Sequence, residues 1–351
     1  MSAAQTVFVA VSGGVDSAAT AALLCQQGYH CSGVFMITHD GGQTAQADAE
    51  QVCRTLGIEL HVLDFRREFD EIIDYFTSEY RQARTPNPCV LCNRLMKFGR
   101  LWQFAASHGA DFIATGHYAQ IRRINGMPGL YQAQDAGKDQ SYVLSMIRRD
   151  TLNHILLPMA ELTKDKTRQL AAQFGLHIHS KADSQEICFI PDNDYAGLLR
   201  RLCPDIQRPG DVVDKNGTLL GRHEGIFQYT IGQRRGLRIA MGEPVYVVGL
   251  DSQTNTVILG PREELLSTGL TAAPMNWLID IPLNPFKAMV KIRYNHQGSP
   301  ATVYPETDSV RIVFDHPVSA VTPGQAAVIY IPTELGMQVA GGAWINNAFR
   351  E

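Results

Sequence analysis

An α/β domain built on a parallel sheet, followed by a second half made mostly of short strands, is the architecture this 351-residue sequence predicts. Three observations carry the prediction. Short apolar runs alternate with helical patterns in the first half, two of those runs end in glycine-containing turns, and after about residue 205 helical periodicity gives way to strand patterns separated by turn signals. Strands separated by helices need crossover connections, which are right-handed and generate parallel sheets.

The elements follow in order. Apolar Thr6–Val11 ends in Ser12-Gly13-Gly14 and leads into a helical stretch, Asp16–Gln27. Gly33–Ile37 is a second apolar run, Ala45–Leu56 a helix ended by Gly57, Glu59–Asp64 a strand and Phe69–Arg81 an amphipathic helix. A further helix is predicted from about Asn93 to Ser107, and Asp111–Thr115 is a strand running into Gly116-His117. Parallel sheets bind ligands at the carboxyl ends of their strands. Ser12-Gly13-Gly14, Met36 and Gly116 all fall at such ends. Further on, Lys215-Asn216-Gly217 marks a hairpin within Asp211–Gly221, and Pro244–Leu250 with Thr256–Gly260 flank another. Ala288–Tyr294, Ala301–Tyr304, Val310–Phe314 and Ala326–Ile331 read as strands of a small closed or sandwiched β module. In the first of these, alternation puts Lys291 and Arg293 on one face and Val290, Ile292 and Tyr294 on the other.

Composition narrows the function classes. A net charge of -4 argues against a protein that coats nucleic acid along its whole surface. Locally the balance differs. Residues 81–110 carry Arg81, Arg84, Arg94, Lys97 and Arg100 with no Asp or Glu, and residues 199–240 carry eight Lys/Arg against four Asp/Glu. Two basic patches on an acidic chain suit a specific anionic partner. Seven cysteines, an odd number, make a poor disulfide framework, and the polar lead Met1–Gln5 does not resemble a secretory signal. No apolar run reaches the roughly 18 residues of a membrane span. The expectation is a cytoplasmic protein with no membrane partner, whose cysteines are judged by reactivity.

The most informative stretch is Ala10-Val11-Ser12-Gly13-Gly14-Val15-Asp16-Ser17. Glycines let a backbone approach an anion, and the amides and dipole of the helix that follows favour phosphate, with Ser12 and Ser17 as extra donors. No lysine follows at the spacing a kinase or GTPase loop requires. Ser-Gly-Gly-x-Asp-Ser resembles instead the pyrophosphate loop (PP-loop) of enzymes that cleave ATP between its α and β phosphates and adenylate their substrate.

Two cysteines have informative surroundings. Thr85-Pro86-Asn87-Pro88-Cys89-Val90-Leu91-Cys92-Asn93 places Cys92 before a helix rich in Arg94, Lys97 and Arg100, a setting that lowers a thiol pKa. Cys188, within Ser184–Ile190, lies on an expected loop-to-strand segment. A pair of thiols suits sulfur transfer, one carrying a persulfide and the other resolving it. Cys25, Cys31, Cys53 and Cys203 read as small buried hydrophobes. Cys89, Cys92 and Cys188 could alternatively supply three thiolates to an iron–sulfur cluster. Structural zinc lacks its second ligand pair.

These stretches, together with Gly33–Met36, Lys97-Phe98, Ala114–Tyr118, Lys138–Tyr142, Ile187–Ile190 and Tyr229–Arg234, give the chain a resemblance, along nearly its whole length, to bacterial tRNA-specific 2-thiouridylases. The resemblance implies a PP-loop adenine-nucleotide domain (1–204), a small central β domain (205–268) and a C-terminal β-barrel (269–351). It implies ATP-dependent thiolation of the wobble uridine of tRNAs for Lys, Glu and Gln, with Mg²⁺ accompanying ATP and a cysteine desulfurase relay donating persulfide sulfur. Ala10–Ser17, Met36 and Gly116 would contact ATP. Cys92 would be the nucleophile and Cys188 the persulfide carrier, the two closing a transient disulfide. Asn87, Pro88 and Cys89 would lie against the target base, and His117, Lys138, Asp139, Gln140, Arg293, Tyr294 and Gln325 would touch tRNA. Many members carry Asp, a candidate proton acceptor, where this chain has Cys89. Either the role is dispensable, another group fills it, or Cys89 helps bind a metal. The alternatives in other classes are an amidating synthetase with the same loop and a non-catalytic RNA-binding module.

Overall fold

The computed structural model describes residues 4–181, 187–190, 194–237, 239 and 242–350. The first sheet is formed by β1 (Thr6–Ala10), β2 (His30–Ile37), β3 (Leu60–Asp64), β4 (Phe112–Ala114) and the short Ile155–Leu156 strand, in the order β3-β2-β1-β4 followed by that short strand. Every pairing is parallel, as crossover helices dictate. The helices are α1 (Val15–Gln26), α2 (Gln43–Leu56) and α3 (Arg66–Arg81). Next comes a nearly continuous rod of α4 (Pro88–Cys92), a π-helical stretch (Asn93–Arg100) and α5 (Leu101–Ser107). The predicted helix beginning near Asn93 therefore starts five residues earlier, at Pro88, with Asn87 as its cap: the Asn87 side chain accepts from Val90 N–H.

Because the chain builds β1, β2 and β3 to one side and then returns to place β4 on the other, β1 and β4 flank a topological switch point. The crevice at their carboxyl ends is where such sheets bind ligands. The core below it is made of fully buried Val7, Val9, Ala18, Ala21 and Ala22 on one side and Ile113, Leu101 and Ala105 on the other.

Two further strands, β5 (Ala119–Ile124) and β6 (Met127–Gln132), make a hairpin absent from the sequence-based expectation, although its Asn125-Gly126 turn has the positive φ pair a two-residue hairpin uses. A second sheet holds the predicted hairpins, Gly210–Asp214 with Leu219–His223 and Tyr246–Asp251 with Thr256–Gly260, joined by a parallel pairing of Gly210–Asp214 to Thr256–Gly260. The remaining strands are Leu266–Trp277, Phe286–Lys291, Ser299–Pro305, Val310–Ser319, Ala326–Thr333 and Gly336–Phe349. They close on themselves, the first pairing with the last, into a six-stranded antiparallel barrel to which the β5–β6 hairpin is attached. The module is thus a closed barrel rather than a sandwich, which removes every free edge but the hairpin's. One expectation fails here. The strand ends at Lys291, so Tyr294 leaves the face of buried Val290 and Ile292 and stands 41% exposed beyond it.

The barrel packs on the first domain through a shared core and several hydrogen bonds, among them Tyr142 OH to Ala326 O and Asn276 to the carbonyls of Ser145 and Ile147, and one set of contacts fixes the loop before the cysteines. Thr85 N–H donates to Pro323 O, Gln325 Nε2 donates to the carbonyls of Thr85 and Pro86, and Arg84 reaches Ile345 O. Gly324, at φ +90, allows this approach: a Cβ there would stand 2.8 Å from Glu79 Oε2 and 2.9 Å from Thr85 O. The loop that precedes Cys89 and Cys92 is therefore positioned by a domain more than 200 residues away in sequence.

Candidate active site

The phosphate-type loop joins β1 to α1. Gly13 sits at φ +71, where a Cβ would also collide with Ala45 O at 2.4 Å. Ser12 N–H donates to Ser17 Oγ, which bonds Ser12 Oγ at 3.2 Å and donates to Gly14 O at 3.0 Å, so the two serines knit the turn closed. Gly14 caps α1 without a side chain. The first-turn amides of Val15, Asp16 and Ser17 therefore keep their donors for an anion. The end of β4 closes the crevice: a Cβ on Gly116 would stand 2.7 Å from both Asp16 C and Ser17 N. Met36, half-buried at the end of β2, is on the same rim.

The structure adds two lysines that sequence reasoning did not assign. Lys164 Nζ grips both oxygens of Asp16, at 2.7 and 2.8 Å, and Tyr118 OH donates to Asp16 Oδ1 at 2.8 Å. Lys181 Nζ donates to Gly13 O at 2.9 Å and to Asp48 at 2.6 Å, and His177 bonds the other oxygen of Asp48. Burial works to raise the Asp48 pKa, but the hydrogen bonds from Lys181 and His177 and the Lys181 charge bring it below the usual carboxylate range. The loop lacks a lysine of its own and receives two from 148 and 168 positions downstream. Nothing local in the sequence marks them.

The thiols form the second half of the site. Phe189 packs edge-on against Phe69 and Phe76 of α3, with centroids 5.6 and 5.4 Å away, and Cys92 packs on the same cluster beside Phe69, Ile72 and Met96. Cys188, next to Phe189, is thereby carried to Cys92. It lies in a tight turn closed by Ile190 N–H to Ile187 O, not in the expected strand. Its preceding residues 182–186 lie outside the described residues. The sulfurs of Cys89, Cys92 and Cys188 are close enough to raise one another's pKa values where they interact, and Lys97 opposes the rise at all three.

The expectation of a lowered Cys92 pKa is corrected. With the helix starting at Pro88, Cys92 lies a turn inside it and loses the N-terminal field, and burial pushes its thiol up to about 12 against the pull of Lys97. Cys89 and Cys188 are raised for the same first reason, burial, although both sulfur-bearing residues reach solvent in the cleft. Among the described residues no three His, Cys, Asp or Glu side chains are grouped as a metal site, so these three cysteines do not form one in this arrangement.

Cleft and crevice are linked by a short chain of contacts. Lys97 Nζ lies 3.4 Å from His117 Nε2, His117 Nδ1 is 2.7 Å from Thr115 Oγ1, and His117 follows Gly116 directly. His117 is itself buried, with both ring nitrogens engaged inside the protein, and does not present its ring to a surface partner. Of two neighbours expected at tRNA, Asp139 is likewise buried and half-buried Gln140 spends its side-chain oxygen inside the protein. The Asp139 carboxylate accepts from Ala133 N–H, Ser141 N–H, Ser141 Oγ and Gln132 Nε2, and Gln140 Oε1 accepts from Tyr118 N–H. They shape the turn that leaves half-exposed Lys138 at its rim. Arg293 and Gln325 do face open space. With Thr85, Arg262 and Thr230 they line a cavity of about 580 Å³ between the central domain and the barrel. The basic patch at 81–110 is thinner than its composition: Arg81, Arg84 and Arg100 are paired to Asp205, Glu79 and Glu71.

A parallel-sheet domain with an anion-ready loop at its switch point, fused to two β domains and carrying a cysteine cleft beside that loop, belongs to the class of nucleotide-activating enzymes. Comparison with known proteins narrows the class. Family models described as tRNA methyl transferase HUP domain, tRNA methyl transferase PRC-barrel domain and Aminomethyltransferase beta-barrel domain match residues 5–192, 200–261 and 267–345. The chain is 45% identical over 359 residues to the tRNA-specific 2-thiouridylase MnmA of Halothermothrix orenii, covering 98% of this chain and 99% of that one. It is 45% identical over 362 residues to the protein of the same name from Magnetococcus marinus, covering 98% and 100%. It is 46% identical over 350 residues to that of Carboxydothermus hydrogenoformans, covering 94% and 96%. This chain belongs to the tRNA-specific 2-thiouridylase family.

Proposed function

We propose that this protein uses ATP to replace the C2 oxygen of a tRNA wobble uridine with sulfur, and that Cys92 and Cys188 carry the sulfur chemistry. The observation that supports this best is the meeting of the two cysteines beside the loop that would hold ATP. Methyl transfer, the wording of two matched domain descriptions, would leave both that loop and the thiols without work.

The residues divide the task. The amides of Gly14–Ser17 and the hydroxyls of Ser12 and Ser17 bind phosphate. Asp16, held by Lys164, and Gly13, held by Lys181, keep the loop in its receiving shape. Mg²⁺ is expected to accompany the triphosphate. A uridine C2 carbonyl is a poor electrophile and oxide a poor leaving group, so adenylation with release of pyrophosphate makes AMP the leaving group. The terminal sulfur of a Cys188 persulfide then attacks C2, and AMP departs with the former C2 oxygen. Cys92 thiolate attacks the Cys188 sulfur, leaving sulfur on the base and a Cys92–Cys188 disulfide, which an external dithiol reduces. Cys92 can equally release the sulfur from the persulfide before attack. The base must leave its stack to reach the cleft, and Asn87, Pro88 and Cys89 line its way in. Arg293, Tyr294, Gln325 and Lys138 form the rim that would meet tRNA. Residues 1–204 would supply ATP chemistry, and 205–268 and 269–351 the RNA grip.

Incubation with ATP, a wobble-uridine tRNA and a sulfide or persulfide source, followed by a mercury-retardation gel, tests the reading: retarded tRNA and stoichiometric pyrophosphate are expected. Pyrophosphate without retarded tRNA would favour an amidating synthetase, and neither product would favour a binding module. Iron found in protein prepared anaerobically, with activity tracking it, would replace the persulfide by a cluster.

A further inference from the structure

Lys97 acts by its charge on all three cysteines of the cleft; the sequence marks it only as one of three cations after Cys92, without distinguishing its charge from those of Arg94 and Arg100. Three observations define its position. First, it stands in the π-helical stretch, where an amide reaches back five residues: Leu101 N–H bonds Met96 O. The wider winding brings residues five apart toward the same side of the helix, and Lys97 is near enough to Cys92 for its charge to act on the thiol. In an α-helix the two would be roughly 140° apart around the axis. Gly99 permits the wide turn, since a Cβ there would stand 2.9 Å from Arg94 O, five residues back. Second, Lys97 has no carboxylate within 4 Å among the described residues, whereas Arg81, Arg84 and Arg100 of the same segment are all paired. Third, its polar neighbour is His117. An ammonium only donates, so Nε2 accepts, the imidazole proton is on Nδ1, and that proton is donated to Thr115 Oγ1. Burial, aided by Lys97, holds the His117 pKa well below its usual value, in keeping with a neutral ring.

We propose that Lys97 is the positioning residue of the thiol site: the π-turn swings it toward the side of the helix that carries Cys92, neutral His117 fixes its ammonium without cancelling the charge, and the charge favours thiolate at Cys92 and Cys188. A carboxylate in place of His117 would hold the lysine equally well and quench it. The consequence for catalysis rests on the sulfur-relay reading above, but the test reads the thiols alone and stands whether or not tRNA is thiolated.

Among the described residues, the titratable and charged groups that act on Cys92 are Lys97, Cys89 and Cys188. In the full chain without tRNA, the rate of Cys92 alkylation by iodoacetamide, resolved by peptide mass spectrometry at pH 9, measures its thiolate. Lys97→Met is expected to slow it about threefold for each unit the thiol pKa rises, because a tenfold loss of thiolate is partly offset by greater nucleophilicity. Lys97→Arg, which keeps the charge, is expected to restore most of the rate, and a purely packing role would not be rescued this way. Equal rates in Lys97→Met and wild type would overturn the proposal. Should the methionine variant not fold, ¹⁵N shifts of His117 in the wild-type protein decide: a neutral Nδ1–H ring at pH 6 is expected, and an imidazolium or an Nε2–H ring would overturn it.

Discussion

The phosphate loop and the thiol cleft sit side by side yet are built in opposite ways. The loop is local: eight consecutive residues, Ala10–Ser17, make the turn, its internal hydrogen bonds and the helix end that receives an anion. The cleft is assembled from α4 and its π-helical extension, the end of β4 and the turn at Ile187–Ile190, and the barrel sets the entry loop through Gln325 and Pro323. A local site is specified by backbone conformation and tolerates distant change. An assembled site depends on packing, so changes remote from it should reach it.

Four results would break or sharpen that contrast. The largest effect is expected at the sulfurs: Cys92→Ser and Cys188→Ser each abolish thiolation on the mercury gel while tRNA affinity stays near wild type, and substantial turnover by either variant would defeat the two-thiol scheme. Next comes Gly13→Ala. Its Cβ cannot be placed beside Ala45 O, and its φ is the left-handed one. It should cost at least about 1–3 kcal/mol in denaturant unfolding and cut ATP-dependent pyrophosphate release about tenfold or more, whereas a mild phenotype would mean that the loop is less rigid than its hydrogen bonds indicate. Third, Arg293→Ala should weaken tRNA binding about tenfold, equivalent to roughly 1.4 kcal/mol, and lower the slope of log affinity against log salt by about 0.7–0.9. An unchanged slope would make Arg293 a solvated loop residue.

The smallest effect concerns pH. His117 has a folded pKa well below 6.5 because burial disfavours the imidazolium, with Lys97 adding to the same sense. Below pH 6.5 the unfolded chain takes up a proton that the folded one refuses, so stability is lost as pH falls through that window and is fully present above it. His223 and His296 shift in the same direction, so the measurement is a difference: between pH 7 and pH 5.5, wild type should lose about 1 kcal/mol more than His117→Gln. Parallel pH curves for the two proteins would show that folding does not lower the His117 pKa.

What was legible in the sequence follows the same division. The parallel sheet, its order of helices, the Ser-Gly-Gly turn and both central-domain hairpins were readable because each is fixed by periodicity or by turn chemistry within a few residues. The β5–β6 hairpin carried a readable Asn125-Gly126 turn signal, with both residues at positive φ. Cys92 and Cys188 were identifiable as a pair, but the pKa of Cys92 is raised rather than lowered. The apparent helix N-terminus at Asn93 was an α-to-π transition, and no residue pattern announces the place where hydrogen bonding slips from four residues to five.

By itself the sequence determined where the backbone turns left-handed, where a helix end opens toward an anion and which side chains could do sulfur chemistry. Tertiary structure alone decided that Lys164 and Lys181 bond the loop, that Asp139 and His117 face inward, that three arginines of a basic run are paired with carboxylates, and that Lys97 has no such partner among the described residues. Charge and burial are properties of what surrounds a group, and here the surroundings come from segments 20 to more than 200 residues away. Only folding brings those segments together.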